Sequence, residues 1–544
     1  MSDRRIMVVN FTRMGDLIQS GPFLRTVRMA HPDTHLTMMV FTGFADVARR
    51  MPMVDDVIVF DVDRWVPMLD GRSGDMSSAY RDAAAFFGDA RLANVDLLYN
   101  LSHTPQSATL CALMRPRRAH GRIRLDDGQI IVRGEWFNYL LSVIDERTLN
   151  PFNLAEIYLR AGRSRGARAL EFRVAEEDRR TASHLLVKAG IPPDARYVVL
   201  QPGASSASRQ WPPAHFARLA SLLHAERLHP VIVGSREEVP VAQNIVSLSH
   251  GQAVSLAGYT DVGALAAVLE GAHLLVSNDT GTIHLAAAVG TRTIGIYLGP
   301  ASAKDTAPFS GGHLILEPDV SCAPCGYRDS CQSFTCHRLV TVDHVFRLCM
   351  ADPRNVEITA RSLSGVRVFR TQVDIQDEFS LQLLNDPAAC PDFALLNFYR
   401  NFWDGLLSAR PAKAAMSTRL VETRPEWRPG VESLRGILES AERRLFALLE
   451  EASKPVRDAR RMSDLLHGRS TLQSDLRRHA ESFPLLAPFS RYLLVRLLSV
   501  RSNALREHLE DLRALLETFE KAVAALTASA SLPTARWRPH AATV

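Results

Sequence analysis

Residues 273–300, HLLVSNDTGTIHLAAAVGTRTIGIYLGP, restrict the fold of this chain more than any other stretch. The apolar run Leu274, Leu275, Val276 suits a buried strand, and it halts at Ser277-Asn278-Asp279-Thr280-Gly281, where turn formers crowd together. Beyond the turn, Ile283, Leu285, Ala286, Ala287, Ala288 and Val289 make a short apolar helix closed by Gly290. Thr293-Ile294-Gly295-Ile296-Tyr297 then forms a second buried strand. This strand-loop-helix-strand order is a unit of a parallel sheet.

The loop chemistry points to an anion. A helix starting near Thr280 presents unpaired backbone N–H groups and the positive end of its dipole, and Gly281 admits a ligand close to the backbone. His284 lies in the first turn, and helical side chains lean toward the N-terminus, so its ring reaches the same ligand. Asp279 is awkward beside a phosphate; it either caps its own helix or faces sugar hydroxyls. A capped helix with a satisfied core histidine accounts for the same letters without any ligand.

Regular alternation surrounds this unit. Strands are expected at Tyr197 to Leu200, Pro230 to Val233, Ala253 to Leu256, Leu274 to Val276 and Thr293 to Tyr297, with helices at about 214–227, 238–248, 261–270 and 282–289 between them. That pattern predicts a doubly wound parallel sheet. Its first loop, Gln201-Pro202-Gly203-Ala204-Ser205-Ser206-Ala207-Ser208-Arg209-Gln210-Trp211-Pro212, again joins a strand to a helix. Gly203, the hydroxyls of Ser205 and Ser206, and Arg209 have the makings of a diphosphate clamp: neutral donors close in and one fixed cation opposite. Glu238, just after the next strand, either accepts hydrogen bonds from a ribose or simply favours the helix N-terminus that follows.

An earlier α/β region opens with the buried strand Ile6-Met7-Val8-Val9, a turn through Asn10 to Asp16, and a helix expected to run to about Ala30. Gly15 and Asp16 sit at that strand-to-helix turn, where open α/β sheets bind ligands. A carboxylate there serves as a general base or as a helix cap. Further strands are expected at Leu36 to Phe41, Val57 to Phe60 and Val95 to Tyr99, and an Arg-rich stretch around 160–180 marks the crossing to the second domain. A chain of 544 residues exceeds what one core can serve. The boundaries expected are 1–175 and 176–355 for two Rossmann-like domains and 375–530 for a helical extension.

Three ordered stretches, MGDLIQSGPFLRTVR, GASSASRQWP and SNDTGTIHLAAAVGTRTIGIYLGP, resemble glycosyltransferase family 9, the ADP-heptose heptosyltransferases of lipopolysaccharide core assembly. The resemblance covers about the first 355 residues. It implies an α/β fold of the two-Rossmann (GT-B) kind facing a cleft, and inverting transfer of a heptose from ADP-heptose to an acceptor hydroxyl. On that resemblance Asp16 is the base. Asp279, Thr280, Gly281 and His284 hold the sugar and diphosphate, and Ser205 and Ser206 fall on hydroxyl positions of the clamp. Many members carry lysine where this chain has Arg209, a cation of different reach and geometry. The chemistry asks for these residue types: a sugar hydroxyl needs a carboxylate to take its proton, and preorganised donors must meet the charge that grows on departing ADP. No cofactor is required for this scheme. A glycolipid acceptor is expected; a protein acceptor, another nucleotide sugar, or a catalytically silent scaffold of the same fold are the alternatives.

Cys322, Cys325, Cys331 and Cys336 in CAPCGYRDSCQSFTC have the spacing of a tetrathiolate knuckle for structural zinc or iron, with His337 as a substitute ligand and four unligated thiols as the alternative. In the resembled family some protein-modifying members hold iron at a similar cluster. Seven cysteines, four of them in one loop, suit a reducing compartment better than a disulfide framework. From about 375 the pattern becomes amphipathic helix, with Leu445, Leu448 and Leu449, then Leu493, Leu494, Leu497 and Leu498, then Leu509, Leu512, Leu515 and Leu516 at three- and four-residue spacing. Core packing of a bundle is the default for such leucines. Holding the acceptor, pairing two subunits and lying on a membrane surface are the further roles it leaves open. The residues from about Ser529 look like a loose tail. A net charge of +5 on this length does not imply nucleic acid, and no apolar run reaches the ~20 residues that span a bilayer. A cytoplasmic protein is expected, with peripheral association at the inner face of the membrane left open.

Overall fold

The computed structural model describes residues 5–519 apart from 63, 65–75, 145, 146, 148, 163–169, 321, 327–330, 332, 375–377, 386–392, 409–427, 453–458, 499–512 and 514. Contacts within the chain form two compact units, one built mainly from Met1–Asp96 and Phe152–Cys390, the other from Leu97–Pro151 and Pro391–Trp537.

In the first unit, β1 (Arg5–Val9), β2 (His35–Phe41) and β3 (Asp56–Phe60) are parallel in the order β3-β2-β1, with Val8 opposite Met38 and Met39 opposite Ile58. Ile6 to Val9 are buried on both faces, as expected of a sheet covered by helices. The expected single helix to Ala30 is instead two, Met14–Gln19 and Gly21–Ala30, meeting at Ser20. Pro22 has no N–H to donate back to the preceding turn, so the ladder breaks there and a new helix starts with proline near its first position.

The second unit carries β4 (Leu97–Asn100), β5 (Arg118–Arg124) and β6 (Ile130–Arg133), β5 running antiparallel to β6. Both β5 and β6 escape a sequence reading. In RAHGRIR only Ala119, Gly121 and Ile123 turn inward, and charged residues occupy the other face. The same unit holds the helices Glu135–Val143, Phe393–Leu407, Arg428–Ala452, Ala459–Ser482 and Ala487–Leu498. Its core gathers around Trp403, whose ring lies 5.3 Å from Tyr139, 5.0 Å from Tyr492 and 5.9 Å from Phe489. Glu135 accepts a hydrogen bond from the Tyr492 hydroxyl and pairs with Arg496. Leu493, Leu497, Leu515 and Leu516 are buried, as bundle packing predicts, while Leu509, Leu512 and the tail from Ser529 lie outside the described residues.

The larger sheet belongs to the first unit. Its strands are β7 (Tyr197–Gln201), β8 (His229–Ile232), β9 (Val254–Ser255), β10 (Leu274–Asn278), β11 (Thr293–Ile296), β12 (Leu314–Pro318), β13 (Val366–Val373) and β14 (Phe379–Leu383). They lie in the order β14-β13-β12-β11-β10-β7-β8-β9, parallel from β12 to β9, with β13 and β14 added antiparallel. Five strands and the four helices between them stand where the alternation put them, within a few residues. The helical reading from about 375 begins too early, because Phe379–Leu383 is an edge strand paired with β13. Val198, Leu200, Val276, Ile294 and Ile296 pack with Phe216, Leu219 and the fully buried Trp211, whose indole N–H donates to Val340 O at 2.7 Å. Burial of side chains of this size stabilises by about 1.5–3 kcal/mol each. The α/β class with two Rossmann-like sheets and a helical C-terminal region is the architecture observed. Among the described residues no helix is long and apolar enough to cross a membrane.

Candidate functional site

After β7 the chain moves outward through β8 and β9, then returns so that β10 pairs with β7 on its other side. The order reverses between these two strands, and their carboxyl ends open into the crevice where such sheets bind ligands. The loops at 202–212 and 279–281 follow those two ends. Asn278 ties them together: its Oδ1 accepts from Trp211 N at 3.1 Å, and its Nδ2 donates to Pro202 O at 2.8 Å and Gly203 O at 3.2 Å. The buried Gln201 presents Oε1 to the hydroxyls of Ser277 and Thr280 at 3.4 and 3.3 Å. Neither Asn278 nor Gln201 is marked by the sequence as a site residue, since a polar strand end looks like any turn.

Gly203 is demanded by its neighbour. A Cβ there would stand 1.5 Å from Glu238 Oε1, so a larger residue would push that carboxylate off the loop. Glu238 Oε2 accepts the Ser235 N–H at 2.7 Å, and the residue makes no side-chain cap on the helix Val239–Leu248 that follows it. Ser205 and Ser206 are exposed at the loop tip, where Ser206 shares a hydrogen bond with Ser208 at 3.1 Å.

Arg209 spans the two loops. One guanidinium nitrogen reaches Ser205 Oγ at 3.0 Å, and the other pairs with Asp279 Oδ2 at 2.6 Å and donates to Asp279 O. Thr306 Oγ1 donates to Asp279 Oδ1 at 3.2 Å. The aspartate, 6% exposed, therefore serves the arginine and not its own helix, whose N-cap Thr280 has no side-chain capping bond. The expectation that Asp279 caps its helix is corrected on this point; the ion pair wins because a buried carboxylate needs a positive partner more than a partial dipole.

The turn bearing Asp16 meets this assembly. A Cβ on Gly15 would lie 3.0 Å from His284 Cδ2 and 3.3 Å from Gly281 Cα, and one on Gly281 would lie 2.5 Å from Met14 Cε. Two glycines thus allow the starts of the helices Met14–Gln19 and Gly281–Ala288 to touch. Asp16 is half-buried and accepts the Arg13 N–H at 3.3 Å, the helix-start bond that the sequence allowed for. Close to it stands Tyr158, buried, with a hydroxyl that lacks a hydrogen-bond partner among the described residues; burial first and the Asp16 charge second push its pKa far up. Sequence reasoning missed Tyr158, because an aromatic on an apolar helix face is indistinguishable from core.

His284 is 2% exposed, and its Nδ1 lacks a partner among the described residues. Burial lowers its pKa to about 4 against a weaker upward pull from Asp279, and burial lowers His313, 5% exposed, to about 4 as well. Both rings are neutral in the folded protein at neutral pH. An unfolded histidine takes up its proton near 6.5, so as pH falls from there toward 4 the unfolded state gains protons that the folded state refuses, and stability declines. Chemical denaturation at pH 7 and pH 5 is expected to show a loss on the order of 2 kcal/mol per such ring, and His313→Gln is expected to flatten part of that slope.

The cysteine loop packs beneath the serine-rich loop. His337 Nε2 lies 3.0 Å from Ser208 O, and Cys325 N donates to Gly299 O at 3.0 Å. Cys331 Sγ accepts the Phe334 N–H at 3.4 Å, which lowers its pKa, while burial raises that of Cys336 with a smaller push from the Cys331 and Cys322 charges. Cys322, Cys325, Cys331 and Cys336 are free thiols, and among the described residues no group of three or more His, Cys, Asp or Glu side chains is gathered as a metal shell. His337 directs Nε2 at Ser208 O, a bond that does not use its second ring nitrogen, Nδ1.

Residues 160–333 match the model of glycosyltransferase family 9 (heptosyltransferase), a span that contains the loops at 202–212 and 279–281 but neither Asp16 nor the C-terminal helices. The chain is 26% identical over 329 residues to lipopolysaccharide heptosyltransferase 1 of Pseudomonas aeruginosa, covering 59% of this chain and 86% of that protein. It is 32% identical over 120 residues to lipooligosaccharide heptosyltransferase 2 of Haemophilus influenzae, covering 21% of this chain and 34% of that protein. Among solved structures, a glycosyl transferase family 9 protein of Veillonella parvula aligns with a TM-score of 0.46 at 20% identity, over 57% of this chain and 85% of that one.

Proposed function

We propose that this chain, whose residues 160–333 match the model of glycosyltransferase family 9 (heptosyltransferase), moves a heptose from ADP-heptose, with inversion, to a hydroxyl of the lipopolysaccharide core. Residues 1–175 serve the acceptor side and 176–355 the donor side, with the helices that follow β14 as an added region. Asp16 takes the proton of the acceptor hydroxyl as its oxygen bonds to the anomeric carbon; the bond from that carbon to the β-phosphate oxygen breaks, and its electron pair leaves with ADP. Arg209, the Ser205 and Ser206 hydroxyls and the Thr280-Gly281 helix start receive the charge that develops on the diphosphate. His284, neutral, donates or accepts a hydrogen bond at the sugar, Glu238 over Gly203 accepts from the ribose, and Asp279 fixes the fork of Arg209. The scheme uses no cofactor. A lipid-borne acceptor is met at the cytoplasmic face of the inner membrane by peripheral association, and the C-terminal helices are the surface for self-association.

The observation that supports this reading is the close approach of Gly15 to His284 and Gly281, which sets the turn that carries Asp16 against the start of the helix Gly281–Ala288. The test is release of ADP from ADP-heptose by the full chain, with and without a heptose-free lipopolysaccharide core acceptor. Release that depends on that acceptor is expected. Turnover only with a protein acceptor would shift the acceptor class, and failure to bind ADP-heptose would leave a silent scaffold.

A further inference from the structure

We propose that Arg13, on the turn that carries Asp16, is a second diphosphate-binding cation acting with Arg209, so that the donor phosphates are gripped from both loops at once. The inference rests on the donor reading above and deepens it. Arg13 Nη1 lies 3.3 Å from Ser205 Oγ, the same oxygen that receives Arg209 Nη1 at 3.0 Å. Two guanidinium groups from segments 192 and 4 residues away in sequence converge on one exposed hydroxyl. A serine oxygen has two lone pairs; with both occupied, its own O–H is left to donate outward.

The charges at this point are unequal. Arg209 is balanced by Asp279 at 2.6 Å. Arg13 is exposed, and among the described residues it meets no carboxylate at ion-pair distance; its side chain is spent on a neutral hydroxyl. Two like charges directed at one point repel unless an anion joins them, and a diphosphate supplies paired oxygens that fit the planar forks of two arginines. Because Arg13 sits three residues before Asp16 and its own N–H holds the Asp16 carboxylate, a phosphate gripped by Arg13 also registers the base against the donor. A nucleoside monophosphate lacks the outer phosphate and gains little from this residue.

The experiment is calorimetric titration of ADP and of AMP into the full-length wild type, Arg13→Gln and Arg13→Lys at low and moderate salt. Arg13→Gln is expected to weaken ADP about tenfold and AMP less than about twofold, with a shallower salt dependence for ADP, and Arg13→Lys is expected to recover only part of the loss. Equal ADP affinity in wild type and Arg13→Gln would overturn the assignment. So would an equal loss for ADP and AMP, which marks a distorted loop. A wild type that binds neither nucleotide removes the donor reading itself, an outcome distinct from failure of Arg13 alone.

Discussion

Asp16→Asn is expected to lower kcat by about one hundred- to ten thousand-fold while ADP affinity stays within about twofold of wild type, because a general base contributes to the transition state and not to donor binding. Asparagine is the informative replacement. Its amide oxygen still accepts the Arg13 N–H that starts the helix Met14–Gln19, so local structure is retained and only the proton-accepting charge is removed. Kinetics of ADP release from ADP-heptose with saturating acceptor, beside calorimetry with ADP, separate the two quantities. Unchanged kcat in Asp16→Asn would remove the base assignment outright.

Arg209→Gln carries the second large effect, and it has two parts that a double variant separates. The first is catalytic: loss of a preorganised cation at the departing diphosphate lowers kcat by about one hundred- to one thousand-fold. The second concerns stability. Asp279 is 6% exposed and among the described residues would keep only its bond from Thr306, and an uncompensated buried carboxylate costs about 3–5 kcal/mol. Arg209→Gln/Asp279→Asn removes both charges, so chemical denaturation should show most of the stability restored. Its kcat should remain as low as that of the single variant. Recovery of activity in the double variant would mean that Arg209 acts only by holding Asp279.

The legible parts of this protein share one property: their meaning is set within a few residues of chain. The turn at Ser277–Gly281 between an apolar strand and an apolar helix, the glycine and serines after β7, and the glycine and aspartate after β1 each declare a strand-to-helix corner by local chemistry. Illegible parts depend on a partner distant in sequence. β5, written RAHGRIR, is a strand because β4 and β6 lie beside it, and β14 pairs with β13 where the letters resemble the start of a helical region. The break at Ser20 was readable in principle from Pro22, but the apolar spacing on both sides concealed it.

The same division holds at the site. The sequence by itself determined the α/β class, the succession of loops that face the crevice, and most of the residue types placed there, since hydrophobic period and turn chemistry are properties of short segments. Only the tertiary structure decided that Asp279 balances Arg209 and does not cap its helix, that Glu238 lies over Gly203, that Asn278 locks two loops together, and that Arg13 and Arg209 meet at Ser205. Spacing along the chain states which groups are available; the directions in which side chains point, and hence which charges meet, follow from packing among residues far apart in the chain, 192 positions for Arg13 and Ser205.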